Sequence, residues 1–282
     1  MHSTTLGKDR TATKHGSPGD AVIVRATPAP RKPAPMLRPD LTAARGGGTE
    51  HGPQSDVAMQ FARIETWVFD LDETLYPPST PLFPQIEARM AAWLVRRLGI
   101  DREAADRLRA RWWHDHGTTL AGLMREHGDD PEPFLAEVHD IDFSVLTPDP
   151  TLAANIANLP GRKVIYTNGT ASYARNVLKA RALDGLWDAV HGVEHAGYIP
   201  KPEREAYVRV FASDGLDPRR AAMFEDTSRN LLVPHEMGMT TIHVAPRRAP
   251  GAHVHHHTSD LAAFLRDLAT GSEAPRGLPA SR

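Results

Sequence analysis

The chain contains no cysteine among its 282 residues, which excludes disulfide bonds, thiolate metal sites and a cysteine nucleophile. It also has no run of about 18 apolar residues, the length that a membrane-spanning helix needs. The formal net charge is only −2, and this balance argues against a nucleic-acid polymer as a partner. Any metal ion must therefore be held by carboxylates, histidines or backbone oxygens.

The first 58 residues lack Phe, Trp and Tyr and contain seven Pro and seven Gly. Such a composition cannot bury enough apolar surface to offset the entropy lost on ordering, so we predict that 1–58 is a disordered tail. The segment has no apolar region of the kind that a secretory signal requires, and we predict a cytoplasmic protein whose compact part begins near Met59. Residues 272–282 are again rich in Gly, Pro and Ser and are predicted to form a flexible tail.

Four short runs of β-branched, aromatic and other apolar residues predict buried strands. These runs are 66–69, 163–166, 221–224 and 240–244. Between the later runs, apolar residues recur at helical spacing, as at Tyr173, Val177 and Ala180. Strands that alternate with helices indicate an α/β fold, with helices on both faces of a parallel sheet. The adjacent histidines 255–257 are interpreted as loop or strand-end sequence, because three neighbours on regular structure cannot all face one ion.

The stretch 82–142 has helical periodicity and no strand pattern. Its apolar stripes predict four short helices, around residues 83–94, 104–112, 120–127 and 134–138. Because these helices must bury their stripes against one another, we predict a helical subdomain, 79–145, inserted after the first strand. The α/β core then comprises 59–78 and 146–271.

Two aspartates, Asp70 and Asp72, follow directly after the first predicted strand. Ligand sites in open parallel sheets lie at the carboxyl ends of strands, and residues i and i+2 of an extended chain point to the same side. Two neighbouring anions are costly unless a cation or a proton relieves them. The pair is therefore a candidate Mg²⁺ site, an acid/base pair or both, although most such pairs are solvated loop residues.

Two further motifs carry groups that suit an anion. Thr167, Asn168 and Gly169 end the second predicted strand, where a hydroxyl and exposed amides are good donors to phosphoryl oxygens. The alternative is that Thr167 only caps the following helix. Lys201 stands between two prolines, which hold it stiffly so that its charge can offset a negative one, and Pro202 suits the first turn of a helix.

Adjacent acids end the third predicted strand, at Glu225 and Asp226. Together with Asp70 they offer the oxygen ligands that Mg²⁺ prefers. We expect Asp226 to bind the ion directly, and Glu225 to act directly or through water. The alternative for Glu225 is a helix-capping acid.

These four motifs occur in the order found in the haloacid dehalogenase (HAD) superfamily, and the chain resembles that superfamily over roughly 62–270. The opening motif, Val68–Tyr76, has the sequence VFDLDETLY. The resemblance implies a Rossmann-like parallel-sheet core with a small helical cap inserted after this motif. It also implies that Asp70 attacks phosphorus to form an aspartyl-phosphate, while Asp72 acts first as general acid and then as base.

The same resemblance implies roles for the later motifs. Thr167 would bind the transferring phosphoryl group, and Lys201 would offset the charge of nucleophile and phosphate. The implied Mg²⁺ ligands are Asp70, the backbone carbonyl of Asp72, Glu225 and Asp226. Some members carry a later Asp where Asn230 stands here, so the adjacent acidic pair must suffice.

A narrower resemblance, to the pyrimidine 5′-nucleotidase branch, rests on segments 72–78, 116–123 and 139–142. It implies hydrolysis of UMP- or CMP-like nucleoside monophosphates, a small-molecule phosphate ester. The candidate substrate contacts are His116, Thr118, Thr119 and His139 in the cap, with Asn168 and Gly169 in the core. Hydrogen bonding within the cap is the alternative for the four cap residues. Trp112 and Trp113 are candidates to stack on a base, although the helical stripe favours core packing for Trp112.

Other activities of the superfamily can be weighed on the same residues. Dehalogenases lack the second Asp, so Asp72 argues against that chemistry. A phosphonate hydrolase needs a cap lysine for its Schiff base, and 82–142 contains none. A phosphomutase uses the same catalytic residues and stays open. Further alternatives are a broad sugar-phosphate or phosphoglycolate-type phosphatase and a non-catalytic phosphate-binding regulator.

Overall fold

A computed structural model describes residues 61–271 of the chain. The predictions for the two tails, 1–58 and 272–282, lie outside the described residues. The strands are β1 (Thr66–Phe69), β2 (Arg162–Tyr166), β3 (Ala189–His191), β4 (Ala221–Glu225), β5 (Thr240–Val244) and β6 (His256–Thr258). They form one parallel sheet in the order β3-β2-β1-β4-β5-β6. The predicted α/β class with a parallel sheet is therefore confirmed.

Helices connect the strands. They are α1 (Phe83–Leu98), α2 (Arg102–His116), α3 (Thr119–His127), α4 (Pro131–Val138), α5 (Pro150–Ala157), α6 (Ala171–Ala180), α7 (Arg204–Asp214), α8 (Leu232–Glu236) and α9 (Leu261–Gly271). Within the described part of the chain, no helix is long and apolar enough to cross a membrane. The cytoplasmic location stays a prediction.

The central strand, β1, is buried on both faces and pairs with β2 on one side and β4 on the other. Alternate residues enter separate cores: Trp67 and Phe69 pack in one, and Val68 packs in the other. Phe69 stacks on Phe224 of β4, with ring centroids 4.5 Å apart. This burial fixes the carboxyl ends of β1 and β4 side by side, which is where the acidic motifs begin.

Two strands were not predicted from the sequence. β3 and β6 have three residues each and lie at the two edges of the sheet, where their side chains are mostly half-buried. Such short runs carry too little apolar pattern to be distinguished from loops. The histidine run 255–257 thus continues into an edge strand rather than forming only a loop.

The four predicted helices between β1 and β2 are present as α1 to α4, and they pack on one another. Their ends follow local chemistry: Thr118 caps the start of α3 with its hydroxyl, and Gly128 ends it in the left-handed conformation. Trp112 is fully buried, as its helical stripe predicted. Gly122 on α3 allows this close packing, since an added Cβ would lie 2.1 Å from Trp112 Cγ.

Candidate active site

Asp70 lies at the end of β1, where its backbone N–H still donates to Phe224 of β4 (2.9 Å). Its side chain is 5% exposed. Lys201 Nζ donates to Oδ1 (2.6 Å), and the Thr74 hydroxyl donates to Oδ2 (3.3 Å). Burial first, and then the nearby Glu225 carboxylate, raise the pKa of Asp70 to about 8. A second cation at this position would restore the ionised form at neutral pH.

Lys201 is the buried cation of the site, with only 1% of its surface exposed. Its ammonium donates to Asp70 Oδ1 (2.6 Å), Glu225 Oε2 (2.7 Å) and the Tyr166 carbonyl (3.0 Å). These two carboxylates outweigh the burial that opposes charge and hold its pKa above the usual lysine range. Lys201 precedes α7, which begins only at Arg204, so the predicted place of Pro202 in the first helical turn is wrong.

Glu225 and Asp226 follow one another at the end of β4. Both oxygens of Glu225 are engaged, because Lys201 donates to Oε2 and Asn230 Nδ2 donates to Oε1 (3.1 Å). Glu225 therefore belongs to a buried ion pair and is not a helix cap. Asp226 is half-buried, and burial together with Glu225 and Asp70 raises its pKa to about 10. Carboxylate oxygens of Asp70, Glu225 and Asp226 lie within 4.8 Å of one another, as a shared metal ion would require.

Asp72 faces the same cavity but has different partners. The chain turns at Glu73, whose φ is 58°, and this turn brings Tyr76 back over Asp72. Its Oδ1 accepts hydrogen bonds from the phenols of Tyr76 (2.7 Å) and Tyr173 (2.5 Å). Burial raises the pKa of Asp72 above the usual aspartate range, against the opposing effect of the phenols. A raised pKa favours the protonated form, from which a carboxyl can act as a general acid.

The residues after β2 surround the lysine and the cavity. Thr167 Oγ1 accepts from the Gly169 N–H (3.0 Å), so its own hydrogen is available to a ligand. Thr170, not Thr167, caps α6, and the capping alternative for Thr167 is therefore wrong. Asn168 uses both ends of its amide on the backbone of Lys201, accepting from N–H (2.8 Å) and donating to the carbonyl (3.1 Å). It holds the lysine in place as well as lining the cavity.

A cavity of about 720 Å³ extends from these core residues into the helices α1 to α4. Of the residues predicted to contact substrate, five lie on its wall: Thr118, Thr119, His139, Asn168 and Gly169. His116 does not, since its ring instead contacts Glu126 (3.1 Å) and Arg125 (3.4 Å) on α3. The structure thus separates His116 from the other predicted substrate residues.

The part of the cavity wall that the helical segment contributes contains both apolar and charged side chains. Its apolar part comprises Phe83, Ile86, Met90, Phe134, Leu135 and Val138. Its charged part includes Arg109, which pairs with Glu87 (2.7 Å) and Asp106 (3.1 Å). Trp113 is half exposed and also lines the cavity, with the Arg229 guanidinium 3.6 Å from its ring centroid.

Sequence reasoning missed three side chains that matter here: Tyr76, Tyr173 and Arg229. Tyr76 belongs to the opening motif, but nothing in the motif says that its hydroxyl reaches Asp72. Tyr173 was assigned to a helix core by its spacing, and that burial is confirmed at 1% exposure. Arg229 links the loop after β4 to the helical segment by donating to the Gly117 carbonyl (3.0 Å). The position of Tyr76, four residues after Asp72, was the only local signal for any of them.

Comparison with known proteins agrees with this geometry. A family model for haloacid dehalogenase-like hydrolases matches residues 64–238. A curated relative, "Phosphate metabolism protein 8" of Saccharomyces cerevisiae, is 24% identical over 196 residues, which are 62% of this chain. The match spans 60% of the length of that relative.

Two solved structures of low sequence identity are similar to this chain over most of its length. A HAD phosphatase from Thermococcus onnurineus has a TM-score of 0.52 and 20% identity, with 75% of this chain and 100% of that chain covered. An L-2-haloacid dehalogenase from Xanthobacter autotrophicus with chloropropionic acid covalently bound has a TM-score of 0.44 and 18% identity, with 72% and 97% covered. The family match covers more than half of the chain, and the protein belongs to the haloacid dehalogenase-like hydrolases.

Proposed function

We propose that this protein is a Mg²⁺-dependent phosphomonoesterase that works through an aspartyl-phosphate on Asp70. The observation that carries the proposal is the buried arrangement at the ends of β1 and β4. There, the Lys201 ammonium joins Asp70 to Glu225, and Asp226 stands beside them in a cavity that also contains Asp72. Asp70 can attack, Asp72 can carry a proton, and the fixed cation of Lys201 lies against Asp70.

The donor set fits a divalent cation. Burial and neighbouring carboxylates raise the pKa of Asp70 and of Asp226, and one ammonium leaves the negative charges incompletely offset. Asp70 and Asp226 are the residues that would hold Mg²⁺, and Glu225, whose oxygens accept from Lys201 and Asn230, would keep the ammonium beside Asp70. The carbonyl of Asp72 is the further ligand that the family resemblance implies. A bound Mg²⁺ would keep both aspartates ionised and would offset negative charge on the phosphoryl oxygens.

The residues of the chain then have separate roles in the reaction. Lys201 offsets the negative charge of the nucleophile and the phosphoryl group, and the free hydroxyl hydrogen of Thr167 binds a phosphoryl oxygen. A carboxylate oxygen of Asp70 forms a bond to phosphorus as the bond to the ester oxygen breaks, and Asp72 donates its proton to that oxygen. In the second half, Asp72 takes a proton from water, whose oxygen attacks phosphorus. The bond to Asp70 breaks, and phosphate leaves.

The helical segment 79–145 is proposed to act as a cap that reads the leaving group. The cavity is within the size range of small-molecule sites, and its far wall comes from α1 to α4. Thr118, Thr119 and His139 offer polar contacts there, and Trp113 offers an aromatic surface. This lining supports pyrimidine nucleoside 5′-monophosphates as substrates. His116 is no longer among the proposed substrate contacts, because it does not line the cavity.

The Asp72 environment favours phosphate esters over halogenated acids. Two phenols hold this carboxyl, and burial raises its pKa, so it is built to transfer a proton. A departing halide needs no proton, whereas an alkoxide does. The fold that the chain shares with dehalogenases therefore does not decide its activity.

The test is phosphate release from UMP, CMP, AMP, GMP, glucose 6-phosphate and 2-phosphoglycolate, each with Mg²⁺ and with EDTA. We expect Mg²⁺-dependent release with preference for UMP and CMP. Preference for the sugar phosphate or phosphoglycolate would reject the nucleotidase assignment and keep the mechanism. Asp70→Asn should lower kcat at least about 1000-fold while the variant melts as the wild type does, and near-normal turnover would refute the nucleophile.

A further inference from the structure

Two buried phenols meet on one oxygen of Asp72. Tyr76, 2% exposed, donates to Oδ1 from four residues along the chain, and Tyr173, 1% exposed, donates to the same atom from α6. No hydrogen bond to Oδ2 is found among the described residues. The two oxygens of this carboxyl are therefore in different environments.

This asymmetry decides where a proton can sit. The carbonyl-type oxygen of a neutral carboxyl has two lone pairs and accepts two hydrogen bonds, whereas the oxygen that carries the proton is a donor. Oδ1 already accepts from two phenols. We propose that Tyr76 and Tyr173 are positioning residues that confine the transferable proton of Asp72 to Oδ2. This inference rests on the proposed function, in which Asp72 is the acid and base.

The phenols are themselves held in place. The ring of His139, at the end of α4, stacks on Tyr173 with centroids 4.3 Å apart and planes at 10°. The Thr170 hydroxyl lies 3.4 Å from His139 Nδ1 and ties this ring to the start of α6. Tyr76 is fixed in the turn after β1, where the Leu75 N–H donates to the Leu71 carbonyl (2.9 Å). Neither hydroxyl can leave Oδ1 without moving packed side chains.

The reaction then uses only one oxygen of Asp72. As Asp70 bonds to phosphorus and the ester bond breaks, the proton on Oδ2 passes to the leaving oxygen. The new carboxylate keeps two charge-assisted hydrogen bonds on Oδ1, which stabilise it. Oδ2 then accepts the proton of the attacking water. If one phenol is lost, Oδ1 can also carry the proton, which is then no longer confined to one oxygen of Asp72.

The experiment compares leaving groups that differ in their need for a proton. Tyr76→Phe and Tyr173→Phe are assayed with Mg²⁺ in single-turnover phosphate-transfer experiments. The probes are p-nitrophenyl phosphate, whose leaving group is stable as an anion, and whichever of UMP and glycerol 3-phosphate the wild type hydrolyses. We expect each variant to slow the alkyl ester about 10- to 100-fold and p-nitrophenyl phosphate less than about 3-fold, because general-acid assistance is typically worth about 10²–10⁴-fold. The KM for the alkyl ester should stay within about 3-fold of the wild type, because neither phenol is assigned to binding.

The matched control is Tyr198→Phe. The Tyr198 phenol also donates to a carboxylate, that of Glu132, but neither residue lines the cavity. This variant should process both probes at the wild-type rate. Mg²⁺-induced thermal shifts equal to that of the wild type would establish that the tyrosine variants fold and keep their metal site. The two tyrosines are tested separately, so one variant that folds is enough.

Three outcomes would overturn the proposal. Equal slowing of both probes would mean that the phenols only support the structure of the site. Unchanged rates on the alkyl ester would mean that they do not govern the proton. A wild-type protein that releases no phosphate from any of these esters would instead refute the proposed function, and this inference with it.

Discussion

Replacing Lys201 by Met tests the electrostatic reasoning on which the site rests. The substitution keeps most of the side-chain volume but removes the ammonium that donates to Asp70 (2.6 Å) and Glu225 (2.7 Å). Both carboxylates are then buried without a cation, and removing one partner of a buried ion pair costs about 3–5 kcal/mol. At about 2–4 °C per kcal/mol for a domain of this size, the melting temperature should fall by about 6–20 °C.

The pH dependence separates this effect from simple loss of packing. Without Lys201, the pKa of Asp70 rises further, because the cation that lowers it is removed, so the folded variant binds more protons than the unfolded chain at neutral pH. Its free energy of unfolding then falls as pH increases, and the loss relative to the wild type should be larger at pH 8 than at pH 5. The wild-type lysine stays charged over this range, because its two partners hold its pKa above the usual value.

The assay is urea unfolding in EDTA at the two pH values. Lys179→Met is the control, since Lys179 is exposed on α6 and should change stability by no more than about 0.5 kcal/mol. A loss below about 1 kcal/mol at pH 8 for Lys201→Met, or an equal loss at both pH values, would refute the reasoning.

Two further predictions concern the metal site and the helical segment. In EDTA the pKa of Asp226 is raised from 3.8 to about 10, so folding is coupled to proton uptake and this group destabilises the protein progressively as pH rises above about 4. Between pH 5 and pH 8 in EDTA, the free energy of unfolding of Asp226→Asn should therefore fall less than that of the wild type. Mg²⁺ should raise the melting temperature of the wild type, and it should raise that of the variant much less. The pH dependence is measured by urea unfolding and the effect of Mg²⁺ by thermal melting. Parallel pH profiles and equal Mg²⁺-induced shifts for the variant and the wild type would contradict the prediction. Gly122→Ala places a Cβ 2.1 Å from Trp112 Cγ, and overpacking of about 1–3 kcal/mol should exceed the helix-propensity gain of about 1 kcal/mol. Thermal melting should show a decrease of up to about 8 °C, and an increase would mean that Trp112 moves freely.

Much of the fold was accessible from local pattern. β1 and β5 have the predicted bounds, and β2 and β4 differ from prediction by one residue each. All residues of β1, β4 and β5 are buried, which makes the pattern strong. The edge strands β3 and β6 were not found, because three half-buried residues leave no such pattern.

The site was predictable as a set of positions but not as a set of contacts. Lys201 and Asp70 stand 131 residues apart, and their 2.6 Å contact follows from parallel strands that end at one edge. His116 was chosen by its place in a motif, yet its ring turns toward α3, away from the cavity. Motif spacing does not reveal which face of a helix end meets the site.

Composition and motifs limit the chemistry that is possible: no thiol, three polar motifs at strand ends, a lysine between two prolines, and a helical segment without lysine after the first strand. Tertiary structure alone decided how the charges are shared, with one buried ammonium between two carboxylates and two phenols on one oxygen of Asp72. The difference lies in the distance along the chain over which each signal acts. Hydrophobic periodicity records which face of each element is buried, but a hydrogen bond between Tyr173 and Asp72, 101 residues apart, exists only once the packed sheet and helices bring the two side chains together.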